Sequence, residues 1–359
     1  MLQVKVEGSR LVFWDEASKS GTAVSFQRTL RIPDDGRSYP LPPGLGDFPL
    51  RKVKDYQDRV PASWVKHSGV FLPMYQREAM WISIQARHWR PNAIKVAAGK
   101  VNAVSGKPWD QKLCGPSKAS FWGEELQDYL VCPPQPWLDG FNTGTGTIRQ
   151  FVAMPLGMGY TVEGQVTGKE EHGGLQLMVL EPKPGRFPER PPPARRSAAR
   201  CCAGAPMSSA APSACCEEKA EAPAKSKKGA EMGLAAGGTM TQKIYPDPYG
   251  LSTWDESNYG RVFVHIVNSQ LWTEITGEAP PATPVSPRTY TEHGYPWFKL
   301  YDEQKGDVAP SSILQKVKSV FQKDQDHGFV GFEDDGPVDV STNQVHGLTP
   351  PQDPMDGEW

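Results

Sequence analysis

A mainly β protein with a minor helical part is predicted by three features of this sequence. Apolar and polar residues alternate with period two in several short segments. Glycine and proline punctuate the chain, 35 of each in 359 residues, where average usage gives about 43 of the two together. Helical periodicity is confined to two short stretches in the last third. The expected architecture is a β-sandwich or barrel-like first module over 1–182, a disordered Ala/Pro/Ser/Gly linker over 183–242, an α+β module over 243–330 and an acidic flexible tail over 331–359.

In chain order, Leu2, Val4 and Val6 alternate with Gln3, Lys5 and Glu7, and SFQRTLRI runs from Ser25 to Ile32 before Pro33. Met80, Ile82, Ile84 and Ala86 alternate with Trp81, Ser83, Gln85 and Arg87, which predicts a strand. AIKVAAGKVNAV and IRQFVAM read as further strands. TVEGQVTGKEEHGGLQLMVLE has two apolar runs around a Gly- and charge-rich turn, the pattern of a hairpin. From Pro191 to Met240, Ala, Gly, Pro and Ser fill 30 of 50 positions, with no aromatic, Ile or Val. Such a segment buries too little apolar surface to offset its ordering entropy, hence the linker. RVFVHIV is a strand, with His265 read as a buried, hydrogen-bonded core histidine. Asn268 or Ser269 caps a short helix carrying Leu271 and Ile275, and Gly277 stops it. Ile313, Leu314, Val317, Val320 and Phe321 share one helical face in SSILQKVKSVFQK, with Ser312 and Gln315 as a capping box.

Composition excludes several classes. A hydrophobic fraction of 38% supports a packed core. The amino terminus is interrupted by Lys5, Glu7 and Arg10, and no 18-residue apolar run occurs, so neither a signal peptide nor a membrane span is expected. A soluble, cytoplasmic protein follows. Residues 1–323 carry 39 basic and 32 acidic groups, a balance of +7, and the nine remaining acids lie beyond Lys323. No clustered basic footprint marks a nucleic-acid binder. Gly144–Arg149 and Gly164–Glu170 lack the spacing and context of phosphate loops, no G-x-S-x-G elbow occurs, and no cofactor is expected. No motif fixes a reaction.

Three clusters carry chemistry. Tyr290, Tyr295, Trp297 and Tyr301 interleave with Glu292, His293, Asp302 and Glu303 on a chain turned by Gly294 and Pro296. Tyr249 and Trp254 stand in a second aromatic-acidic stretch with Asp247, Asp255 and Glu256. Flat rings on such loops suit contact with a ligand, a sugar or a cation, with carboxylates gripping hydroxyls or the charge. The favoured function is therefore a non-catalytic binding or assembly protein, whose partner is an unidentified ligand, another protein or a second copy of the chain. On that reading Trp297 and Tyr295 are replaceable without unfolding. One alternative is a carbohydrate-active hydrolase using Glu292 and Asp302, with His293 titrating near neutrality. Another is thiol- or metal-linked regulation through Cys201, Cys202, Cys215 and Cys216, which form two vicinal pairs in the linker without C-x-x-C spacing or a nearby His.

Overall fold

Alternation at the amino terminus produces an antiparallel meander of β1 (Gln3–Glu7), β2 (Arg10–Asp15) and β3 (Ser20–Thr29), which buries Leu11, Phe13, Val24 and Phe26 on one face. The computed structural model describes residues 1–87, 89–115, 126–188, 231–284, 286–300, 306–329 and 337–348. Next come β4 (Ser38–Tyr39), β5 (Arg51–Lys52), α1 (Ala62–His67), β6 (Val70–Met74) and β7 (Ala79–Gln85). They are followed by β8 (Asn92–Ala98), β9 (Val101–Asn102), β10 (Leu130–Cys132), β11 (Trp137–Leu138), β12 (Gly140–Gly144), β13 (Thr147–Pro155), α2 (Val162–Thr167) and β14 (Leu175–Pro182). The remainder is β15 (Glu231–Thr241), β16 (Trp254–Asn268), α3 (Ser269–Thr276), α4 (Pro287–Glu292), β17 (Trp297–Leu300), α5 (Val320–Asp326) and β18 (Val345–Leu348).

The protein is mainly β. Its principal sheet runs β1-β2-β3-β7-β13-β15-β16-β14-β8-β10, antiparallel along that path, with β4 and β6 added parallel to β15 and β16. The sheet folds back on itself: Leu2 N–H donates to Tyr259 O at 3.2 Å, and Thr22 Oγ1 donates to Asn92 Oδ1 at 2.6 Å. Between the layers Phe13, Phe26, Ile82, Val96, Leu177 and Val264 share one apolar cluster. Asn268 caps α3 by accepting from Gln270 N–H, and Gly277 ends it in the left-handed region. No helix among the described residues is long and apolar enough to cross a membrane.

Four local expectations are corrected. The linker predicted over 183–242 does not extend that far: β15 occupies Glu231–Thr241 between β13 and β16. Segments on both sides of the linker therefore share one sheet and do not form separate modules. The small residues that made β15 resemble a spacer answer to close packing. A Cβ on Gly237 would lie 2.6 Å from Val152 Cγ2, and one on Gly238 would lie 2.3 Å from Pro33 O. Residues 189–230 of the predicted linker are outside the described residues.

The predicted hairpin over 161–181 is a helix followed by a strand. Thr161 Oγ1 accepts from Gly164 N–H to start α2, and the buried Glu163 carboxylate accepts the backbone N–H groups of Glu171, His172 and Gly173. The helix predicted over 312–323 begins later. A 3-10 turn spans Leu314–Lys316, Val317 is extended, and the capping box is Ser319 with Gln322. Tertiary bonds pull the chain straight there: Arg149 Nη1 donates to Val317 O at 3.1 Å, and Gln165 pairs with both the N–H and the C=O of Lys318. Within the tail, β18 pairs parallel with β17 and Val338 is buried beside Tyr39 and Trp297, so this part of 331–359 is ordered by apolar contact.

Candidate functional site

Strand alternation places two tryptophans side by side. On β7, Met80, Ile82 and Ile84 point into the core, which turns Trp81 and Ser83 to the opposite face. β11 pairs antiparallel with β7, and Trp137 stands opposite Ser83. Trp81 and Trp137 are thus diagonal neighbours on one face, with ring centroids 6.2 Å apart and planes at 64°. Phe298 adds a third ring. Its N–H donates to Leu41 O at 2.8 Å and its C=O accepts from Leu41 N–H at 2.7 Å. Because Trp297 is fully buried in the cluster of Leu30, Ile32 and Tyr39, its neighbour Phe298 takes the other side of the strand.

Pro42, Pro43, Trp81, Trp137, Asp139 and Phe298 together line a pocket of about 150 Å³. Its one titratable residue is Asp139, which is 2% exposed. Gln242 Nε2 donates to Asp139 Oδ2 at 2.5 Å, and Asp139 N–H donates to Gln242 Oε1 at 3.1 Å. Burial pushes the Asp139 carboxyl up to about 7, against a smaller opposing effect of the Gln242 hydrogen bond. The indole Nε1 of Trp81 is buried without a hydrogen-bond partner. Gly44 also lines the pocket, and a Cβ there would lie 3.1 Å from Trp81 Cζ2.

The residues singled out from sequence are not gathered into one surface. Tyr290 and Trp297 are buried anchors: Tyr290 Oη donates to Pro296 O at 3.1 Å, and Trp297 Nε1 donates to Thr291 Oγ1 at 3.3 Å. Tyr295 is 51% exposed and stacks against His293, and Glu292 is exposed at the end of α4. The candidate roles of Tyr301 and Asp302 fall outside the described residues, as do those of Cys201, Cys202, Cys215 and Cys216. No cluster of three metal-ligating side chains occurs among the described residues.

The second stretch is separate. Trp254 is buried with Leu113 and Tyr129, away from the Trp297 cluster. Asp247 ties it down by accepting from Trp254 Nε1 at 2.8 Å, Tyr129 Oη at 2.7 Å and Tyr249 N–H at 2.8 Å. Burial, and after it the Asp247 hydrogen bond, raises the Tyr129 phenol far above its usual range. Tyr249, 41% exposed, lies with Tyr245, Pro133, Pro134, Pro246 and Pro248 on a wider groove of about 420 Å³. Asp247 also lines that groove, but its carboxylate is already engaged by these three donors.

Trp81, Trp137 and Asp139 were missed in the sequence. The signal present was a tryptophan on the polar phase of an otherwise clean alternation. Comparison of the chain with protein-family models, curated proteins and solved structures gives no match.

Proposed function

We propose that this chain is a non-catalytic binding protein whose ligand occupies the pocket formed by Trp81, Trp137 and Phe298 over Asp139. One observation carries the reading: a concave, largely apolar pocket is lined by three aromatic rings and by one buried acidic residue, Asp139, whose carboxyl burial pushes up to about 7. Small-molecule sites combine an apolar lining with a few convergent polar groups, and perturbed titration marks them out. A non-catalytic role is favoured because Asp139 has no second titratable group or nucleophile beside it among the described lining residues. The buried Cys132 thiol, which is not in a disulfide, suits a cytoplasmic setting.

The test is a ligand-observed NMR screen of small apolar fragments against the wild type and Phe298→Ala. Fragments that compete with one another and are lost in Phe298→Ala support the pocket. Hits that bind the variant unchanged, or no hits, count against it.

A further inference from the structure

We propose that this pocket takes a small quaternary-ammonium cation, with Asp139 supplying the counter-charge, an inference that rests on the pocket being the binding site. Other buried carboxylates of this protein are met by cations or by backbone N–H groups. Glu78 faces Arg28, Asp324 faces Arg77, Asp128 faces Lys95, and Glu181 faces both Arg87 and Arg90. Among the described residues Glu163 and Asp15 have no such ion pair, but Glu163 accepts three backbone N–H groups, and Asp15 accepts the Ser18 N–H and feels the charge of Arg90. Asp139 is different. Its carboxylate has the Gln242 amide alone, and no charged side chain of the described residues influences it. Buried charges are ordinarily paired, so an unpaired carboxylate on a pocket wall leaves room for a cation from outside.

The remaining lining supplies the rest of the recognition. Faces of Trp and Phe attract cations through the ring quadrupole, most strongly where water is excluded. A primary ammonium brings three N–H donors and needs three acceptors, whereas the lining offers one carboxylate among prolines and rings. A methylated ammonium makes no such demand. The pocket's volume of about 150 Å³ is that of a cavity that takes a ring the size of benzene, which suits a head group of about five or six heavy atoms.

The experiment is calorimetric titration of the full chain with choline and with its neutral isostere 3,3-dimethylbutan-1-ol, at pH 8 and pH 6. Choline is expected to bind at least about tenfold more tightly than the isostere at pH 8. Its affinity should fall about tenfold at pH 6, where Asp139 is mostly protonated, while that of the isostere stays constant. Asp139→Asn should remove the preference. Equal binding of both probes by the wild type overturns the cation and leaves the pocket standing. Failure of choline to bind, with fragments still captured in the screen, does the same. Failure of choline, isostere and fragments alike overturns both readings. The wild-type comparison decides the matter even if Asp139→Asn does not fold.

Discussion

Asp139 and Gln242 grip each other twice, side chain to side chain at 2.5 Å and backbone N–H to side chain at 3.1 Å, across 103 residues of chain. This reciprocal pair fixes a buried carboxyl group on a residue of the pocket wall. It also has a thermodynamic consequence.

With burial lifting the Asp139 carboxyl to about 7 from 3.8, the folded protein holds a proton that the unfolded chain releases between those values. The folded state then binds more protons than the unfolded one, so this group makes stability fall as pH rises from about 4 to 7. The loss is about 4 kcal/mol in total. Urea unfolding of wild type and Asp139→Asn across that range should show the slope in the difference between them. Parallel curves would remove the shift.

His265 acts in the opposite direction. It is stacked between Trp64 and Phe263 with its Nε2 2.9 Å from Ser68 O, and burial lowers it to about 4 from 6.5. The unfolded chain takes up a proton as pH falls below about 6.5 and the folded protein resists until about 4. Stability from this group, about 3 kcal/mol, is therefore present above 6.5 and lost as pH falls through that window. His265→Gln should weaken the acid-side loss in the same unfolding series. An unchanged acid limb would contradict the assignment.

Trp297→Ala should cost about 3–5 kcal/mol, because it empties a fully buried site in the Leu30–Ile32–Tyr39 cluster. Tyr295→Ala should stay within about 0.5 kcal/mol, its ring being half exposed. Thermal or urea unfolding of the two single variants separates an anchor from a surface residue. Similar costs for both would show that exposure does not rank them.

Glu181→Gln should be among the most damaging polar substitutions. It removes the charge that Arg87 and Arg90 share in a buried site, and breaking such a pair costs about 3–5 kcal/mol. Loss of less than about 1 kcal/mol in urea would mean that the two guanidinium groups are satisfied by other partners.

Gly238→Val distinguishes a strand from a spacer. In β15 the added side chain meets Pro33 O at its first carbon, and overpacking of that kind costs about 1–3 kcal/mol. In a flexible linker the same change would be close to neutral. The unfolding midpoint reads the difference.

Much of the fold was legible because alternation is a local property. β1, β7 and β16 are written in the order of their own side chains. β15 was hidden because its small residues answer to Val152 and Pro33 on neighbouring segments, a demand indistinguishable in composition from a linker. The start of α5 was misplaced for a related reason: Arg149 and Gln165 capture the backbone at Val317 and Lys318 and override a local capping signal. The site was the least legible part. Asp139 lies in PQPWLDGFN, which has no periodicity, and what makes it unusual is a glutamine 103 residues away. Aromatic density led to Trp254 and Trp297, where the rings hold loops to the core.

The most direct test of the pocket is the set of tryptophan indole N–H resonances during titration with choline or 3,3-dimethylbutan-1-ol. The Trp81 and Trp137 signals should move together and saturate, while those of the fully buried Trp254, Trp272 and Trp297 remain in place. Saturating binding that leaves Trp81 and Trp137 unmoved would place the ligand elsewhere and contradict the account.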